Sequence, residues 1–338
     1  MECPTIPRWF GVDVSKATFD IALYEEGSRK PPHDKFPRSR KGCRDCLGWL
    51  QKHLPPGHHP SLVMEATGGY GKEMALWLLA MDHALKVAIA QPVKVHHFAQ
   101  TCGLANKTDL QDAIMLARFG ELHKPPPFQP MSETYEKLRA LTRERAAMVK
   151  AAIRLGNRNE IPSQSREAQK IRERMIANHE KAVADLEKAM KALIVGDPAL
   201  SKDCRILQTI PGIADVVAPT LMGELGDLRD YPHPKTLPAY TGIAPKLRDS
   251  GTSVHETAHM TKHGSARVRH VLYLAAMASL RGNNTFSRSY NHLVAEGKPP
   301  MVALGAVMRK ILVVARVLLI TEKNYDPNYV KNPPSQEG

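Results

Sequence analysis

Apolar and polar positions follow three different rhythms along the chain. From residue 8 to about 128, short alternating runs are interleaved with helical ones. Phe10-Gly-Val-Asp-Val14 and Thr18-Phe-Asp-Ile-Ala-Leu-Tyr24 predict two strands joined by a tight turn at Ser15-Lys16. Leu62-Val-Met-Glu-Ala66 and Leu85-Lys-Val-Ala-Ile-Ala90 predict further strands. Met74, Leu78 and Met81 recur at helical spacing and predict a helix over 72–81. Strands alternating with helices predict a mixed α/β domain over 8–128, closed by Lys124-Pro-Pro-Pro127. Residues 131–197 are rich in Glu, Lys, Arg, Ala and Leu, with Ile161-Pro162 as the obvious break. They predict two long charged helices forming a coiled-coil arm, with an ordinary helical hairpin as the alternative. A third, mainly helical domain spans 201–325, with helices over 216–225, 266–280 and 300–319. Between them, 226–264 is rich in Gly, Pro, Thr and Ser and predicts a long irregular segment, which in a compact domain tends to be functional or disordered. The polar, Pro-rich stretch 326–338 predicts a flexible tail.

Charge narrows the function. Lys and Arg number 47 against 34 Asp and Glu, a formal charge of +13 in 338 residues. A chain this basic is expected to meet a polyanion. A membrane is the weaker candidate, because the most apolar stretch, 301–320, contains Arg309, Lys310 and Arg316. Residues 1–7 are short and polar, so no signal peptide is expected. Five cysteines, at 3, 43, 46, 102 and 204, form no dense framework and point to a reducing cytoplasm. Cys43-x-x-Cys46 with His53, His58 and His59 is spaced too irregularly for a zinc site. Its helical spacing to Leu47 and Leu50 suggests core packing instead.

Carboxylates supply the candidate chemistry. Asp13 interrupts an apolar strand and Glu65 ends another, and an acid in such a place must be paired, protonated or bound to metal. Thr108-Asp-Leu-Gln111 has the form of a capping box, which sets Asp109 and Asp112 on one face of a first helical turn. Taken alone, that pair is equally explained by the helix dipole. Together the four acids suit Mg2+ or Mn2+, which take hard oxygen ligands and assist phosphoryl transfer.

Gly11-Val-Asp-Val-Ser-Lys16, Glu65-Ala-Thr-Gly-Gly-Tyr70 and Ala105-Asn-Lys-Thr-Asp-Leu-Gln-Asp-Ala113 resemble the DEDD transposases of the IS one-ten insertion-sequence family, relatives of the Piv-type DNA invertases. In the second half Gln208-Thr-Ile-Pro-Gly-Ile213, Ala239-Tyr-Thr-Gly-Ile-Ala-Pro245, Ser250-Gly251 and Thr261-Lys-His-Gly264 follow the family's order. The resemblance covers about residues 8–320. It implies a RuvC-like, RNase H-like fold for the first domain, and Asp13, Glu65, Asp109 and Asp112 as catalytic metal ligands. It implies Ser250 as the recombination nucleophile, forming a covalent phosphoserine link to DNA. It also implies donor and target DNA as substrates, a structured guide RNA encoded by the element, and a homo-oligomer, dimer to tetramer, in a nucleoid-associated cytoplasmic protein.

The residues themselves leave Ser250 and Ser253 open, since serines in Gly/Thr-rich loops usually form turns. The surroundings are strongly basic: residues 240–320 hold eleven Lys and Arg against three Asp and Glu. Lys246, Arg248, Lys262, Arg267 and Arg269 bracket the serines and could hold a scissile phosphate. Two rival readings are a RuvC-like, metal-dependent junction nuclease using the four acids alone, and a non-catalytic nucleic-acid-binding protein.

Overall fold

A computed structural model describes residues 6–28, 30–54, 58–66, 69–102, 108–159, 165–234, 236–246, 249–250, 254–255, 259–262 and 264–328. The chain divides into two compact units, Met1–Pro130 and Met131–Gly338.

The first unit runs β1 (Ile6–Val14), β2 (Thr18–Leu23), β3 (His33–Pro37), α1 (Arg40–His53), β4 (His58–Glu65), α2 (Tyr70–Met81), β5 (Lys86–Ala90), α3 (Pro92–Thr101) and α4 (Asp109–His123). The strands form one mixed sheet in the order β3-β2-β1-β4-β5. β1, β2 and β3 pair antiparallel, whereas β1, β4 and β5 are parallel. Period-two alternation divides the side chains between two faces. Phe10, Val12, Phe19, Ile21, Leu62 and Met64 pack on one face with residues of α1 and α2. Trp9, Val63 and Ala88 pack on the other with Val95 of α3 and Leu116 and Phe119 of α4.

Cys43 and Cys46 are fully buried in the first of these cores. Burial pushes both thiols up, Cys43 to about 11. They pack in the core as small apolar residues.

One glycine sets how closely α4 approaches the sheet. A Cβ on Gly11 would lie 1.9 Å from the Ala113 carbonyl oxygen and 2.3 Å from the Ala117 nitrogen. Only a residue without a side chain lets the helix backbone lie this near the strand. Trp9, two residues earlier, meets Gly120, and its backbone N–H donates to Glu121 at 3.2 Å. The helix therefore runs antiparallel to β1 and brings its first turn to the strand's C-terminal end.

The second unit is mainly helical. α5 (Glu133–Asn159) and α6 (Arg166–Gly196) pack along one another, as two helices about 40 and 46 Å long at 1.5 Å per residue. Arg145 pairs with Glu187 across them at 2.7 Å. The Ile161-Pro162 break lies outside the described residues. After this hairpin come α7 (Pro198–Gln208), α8 (Val217–Leu225), a 3-10 turn at Leu228–Asp230 and α9 (Thr236–Thr241). Then come four two-residue strands, β6 (Pro245–Lys246), β7 (Asp249–Ser250), β8 (Val254–His255) and β9 (His259–Met260), followed by α10 (Ala266–Ser279), α11 (Thr285–Ala295) and α12 (Pro300–Thr321). Among its described residues the stretch 226–264 thus holds the 3-10 turn, α9 and these four short strands. β6 pairs with β9, and β7 with β8, both antiparallel.

Leu138 of α5, Leu207, Leu221, Leu272 and Ile311 share one core. Gly212 carries a φ of +92°, and a Cβ there would lie 2.0 Å from the Ala275 carbonyl oxygen. The Pro211-Gly212 motif is therefore shaped by α10 pressing on the turn. Arg316, in the middle of apolar α12, is buried and donates to the Tyr231 carbonyl at 2.6 and 3.0 Å. No helix among the described residues is long and apolar enough to cross a membrane.

Candidate active site

The sheet register assembles a row of charged side chains on the face that carries α4. Asp13 of β1 stands opposite Asp20 of β2, and Asp20 stands opposite Lys35 of β3. β1 and β4 pair through Val12 and Met64, so one further step brings Asp13 level with Glu65. Residues paired across neighbouring strands project to the same face. That face is the one Trp9, Gly11 and Val63 share, so Asp13, Asp20, Glu65 and Lys35 all project on the side covered by α4.

α4 supplies the remaining acids. Thr108 caps the helix, its side-chain oxygen accepting from the Gln111 N–H at 3.2 Å. The reciprocal arm of the capping box is not made, because Gln111 Oε1 is buried with no hydrogen-bond partner. Asp109 and Asp112 occupy the first turn, where the helix dipole favours anions. The close seating on Gly11 carries that turn to the end of β1.

Asp13 registers the result. Burial, then the charges of Asp112, Asp109, Asp20 and Glu65, push its carboxyl up to about 6. All three other acids of the predicted set thus act on Asp13. Asp20, absent from that set, does so as well. An ammonium lies among these acids: Lys35 Nζ is 3.0 Å from Asp20 Oδ2 and 3.4 Å from Asp109 Oδ2.

Among the described residues, no three His, Cys, Asp or Glu side chains stand close enough together to hold a metal ion. The donors nevertheless fit a hard divalent cation in kind. They are all carboxylates, burial and then the charges of its neighbours raise the Asp13 carboxyl, and a side-chain cation already bridges two acids of the region. If a divalent ion binds, Asp13, Glu65, Asp109 and Asp112 would hold it, and it would supply positive charge to a phosphate oxygen.

Asp20 and Lys35 escape a reading by motif. Asp20 was within reach of pattern alone, since it alternates with Phe19 and Ile21 in the hairpin partner of β1. Lys35 was not, because its strand, His-Asp-Lys-Phe-Pro, lacks hydrophobic alternation.

In the second unit, Ser250 lies in β7, its backbone paired with Val254. The Ser250 and Lys246 side chains, and all of Arg248 and Ser253, lie outside the described residues. Lys262 adopts a left-handed φ of 56°. With Arg269, His270 and Tyr273 it lines an open, largely apolar cavity of about 310 Å3. Arg269 donates to the carbonyls of Gly264 and Thr241 at 2.9 and 3.3 Å, so part of its guanidinium is committed to the fold.

Arg267 reaches Glu224 at 3.7 Å. Glu224 is buried on α8, accepts from Arg143 of α5 at 2.7 and 3.1 Å, and accepts from Ser265, the N-cap of α10, at 3.1 Å. Burial raises its pKa, but the bonds and charges of Arg143, Ser265 and Arg267 outweigh burial and hold it below the usual value. Glu224 thereby ties the hairpin to the start of the helix that carries Arg267 and Arg269.

Known proteins align with both units. Residues 10–160 match the DEDD transposase family of IS110, and residues 204–291 match the Transposase IS116/IS110/IS902 family. The pilin gene-inverting protein of Moraxella bovis is 29% identical over 319 residues, covering 94% of this chain and 97% of its own. Its namesake in Moraxella lacunata is similar to the same extent. The transposase for insertion sequence element IS1111A of Coxiella burnetii is 27% identical over 106 residues, 31% of this chain and 28% of that one. With two models of this family matched along the chain and relatives aligned over 94% of it, the chain belongs to the IS110 family of DEDD transposases.

Proposed function

We propose that the protein is a DNA transposase that breaks and rejoins strands through Ser250, assisted by Mg2+ held by Asp13, Glu65, Asp109 and Asp112. The observation that carries this reading is the gathering of the acids at the end of β1 by sheet register and by the seating of α4 on Gly11, where burial, then the charges of Asp112, Asp109, Asp20 and Glu65, raises the Asp13 carboxyl. Side chains that repel one another in this way are stabilised by a divalent cation. Ser250 Oγ attacks the phosphorus, the bond from phosphorus to the deoxyribose oxygen breaks, and the departing hydroxyl takes up the proton. The phosphoserine link conserves the energy of the broken bond, so rejoining needs no nucleotide. Lys246, Arg248, Lys262, Arg267 and Arg269 grip the backbone phosphates, and the remainder of Arg269 ties the end of α9 to the approach to α10.

The strand order, with β1 central and Asp13 near its end, supports a RuvC-like reading of the first domain. The net charge of +8 over residues 240–320 supports binding of DNA together with a structured guide RNA. The α5–α6 hairpin is read as an arm on the domain over 201–325. Its exposed Ile153, Ile171 and Met175 support a homo-oligomer.

The test is denaturing electrophoresis with labelled donor DNA. Wild-type protein should form a covalent adduct that peptide mapping places at Ser250. Ser250→Ala should bind nucleic acid but give neither adduct nor recombinants, and Ser253→Ala should give both. An adduct at Ser253 overturns the residue assignment. Efficient cleavage by Ser250→Ala, leaving unattached DNA ends, favours the metal-dependent nuclease. Binding without cleavage by the wild type favours the non-catalytic reading.

A further inference from the structure

We propose that Lys35 is an internal counter-cation of the acid row, competing with the divalent ion for Asp109 and so setting how readily the site takes up metal. The inference rests on the reading that these acids hold such an ion. Its own basis is the geometry of Lys35. The residue lies on edge strand β3, opposite Asp20 in the register. Its ammonium spans two carboxylates from different elements, 3.0 Å from Asp20 on β2 and 3.4 Å from Asp109 at the start of α4.

The two carboxylates are unequal. The Asp20 side chain is 17% exposed, whereas that of Asp109 is 63% exposed. Asp20 is therefore the anchor and Asp109 the ligand that can be given up. A divalent ion taking Asp109 must displace the ammonium from it, and a +1 charge retained on Asp20 then repels the +2 charge beside it. Lys35, itself half exposed, can swing away from Asp109 without leaving Asp20. Until a cation of higher charge arrives, it offsets part of the repulsion that Asp13 experiences from Asp20 and Asp109. The device holds a positive charge between two of the acids without metal, and lowers the site's affinity for metal in return.

Mn2+ titration of the full-length protein without nucleic acid, read by calorimetry and by the electron paramagnetic resonance of unbound Mn2+, tests the inference. Lys35→Met should bind Mn2+ about three- to tenfold more tightly than wild type, and the gap should narrow at high salt because exposed charges are screened. Lys35→Arg, which keeps the charge, should stay near wild type. A purely structural lysine predicts the opposite, with Lys35→Met binding equally or more weakly, and that result overturns the inference. Asp13→Asn is the control for the underlying reading and should weaken Mn2+ binding. If Asp13→Asn weakens binding while Lys35→Met leaves it unchanged, only the role of Lys35 falls. If Asp13→Asn binds like wild type, the metal site and the inference fall together.

Discussion

Asp13→Asn should make the metal-free protein more stable while destroying its activity. In the folded protein burial and four neighbouring acids raise this carboxyl from 3.8 to about 6. The folded state therefore favours protonated Asp13. That contribution is fully present below the unfolded value near 4 and is lost as pH rises through about 6. At pH 7.5 the ionised carboxylate opposes folding by at most about 3 kcal/mol, and solvent screening at a half-buried group reduces this to about 1–2 kcal/mol. An uncharged amide of the same shape removes that penalty.

The three tryptophans, at 9, 49 and 77, all fall in the first unit. Urea unfolding followed by intrinsic fluorescence therefore reports on the unit that holds Asp13. In EDTA at pH 7.5 the variant should be about 1–2 kcal/mol more stable than wild type, and the difference should shrink severalfold at pH 4.5. In Mg2+ the order should reverse, because ligand binding stabilises only the protein that can bind it. A variant less stable than wild type in EDTA, or a difference independent of pH, would show that Asp13 is not held against its neighbours' charge.

Two further outcomes follow from the same geometry. Gly11→Ala should destabilise the first unit by about 3 kcal/mol or more, because the new Cβ meets α4 backbone rather than a yielding side chain; an alanine variant with wild-type urea midpoint would refute the close seating. Affinity for RNA and DNA should fall steeply with salt, since each neutralised phosphate releases counterions, and a salt titration in which the element's own non-coding RNA shows no advantage over an unrelated RNA of equal length would count against guide-RNA function.

The parts of the fold legible in the sequence are those whose periodicity reflects burial on one side. Phe10, Val12, Phe19 and Ile21 face one core, so β1 and β2 announce themselves. Pro300 to Thr321 is apolar over six turns and reads as α12 without help. Elements with weaker signals were missed. β3 buries little and sits at a sheet edge, where one side of the strand has no neighbour to demand alternation. α11 begins at a capping box built from Asn284 and Ser287 rather than from the Ser/Thr and Glu/Gln of the usual signature. The strands described within 226–264 are two residues long, too short for any alternation to show.

The same distinction separates the acids from their lysine. Asp13, Glu65, Asp109 and Asp112 each sit beside a local mark: an apolar strand, a strand end, a helix cap. Each mark survives in a one-dimensional string. Nothing beside Lys35 in the chain explains its position; only the lateral pairing of β3 with β2 carries it to Asp20, and only Gly11, by admitting α4, carries Asp109 to it. Gly11 and Asp13 are two residues apart on one face of one strand, and their roles are complementary. The glycine leaves room for a helix backbone, and the aspartate meets the charges that the helix brings. The glycine's contribution is an absence of atoms, so its consequence for charge lies in the helix it admits, a hundred residues away in the chain.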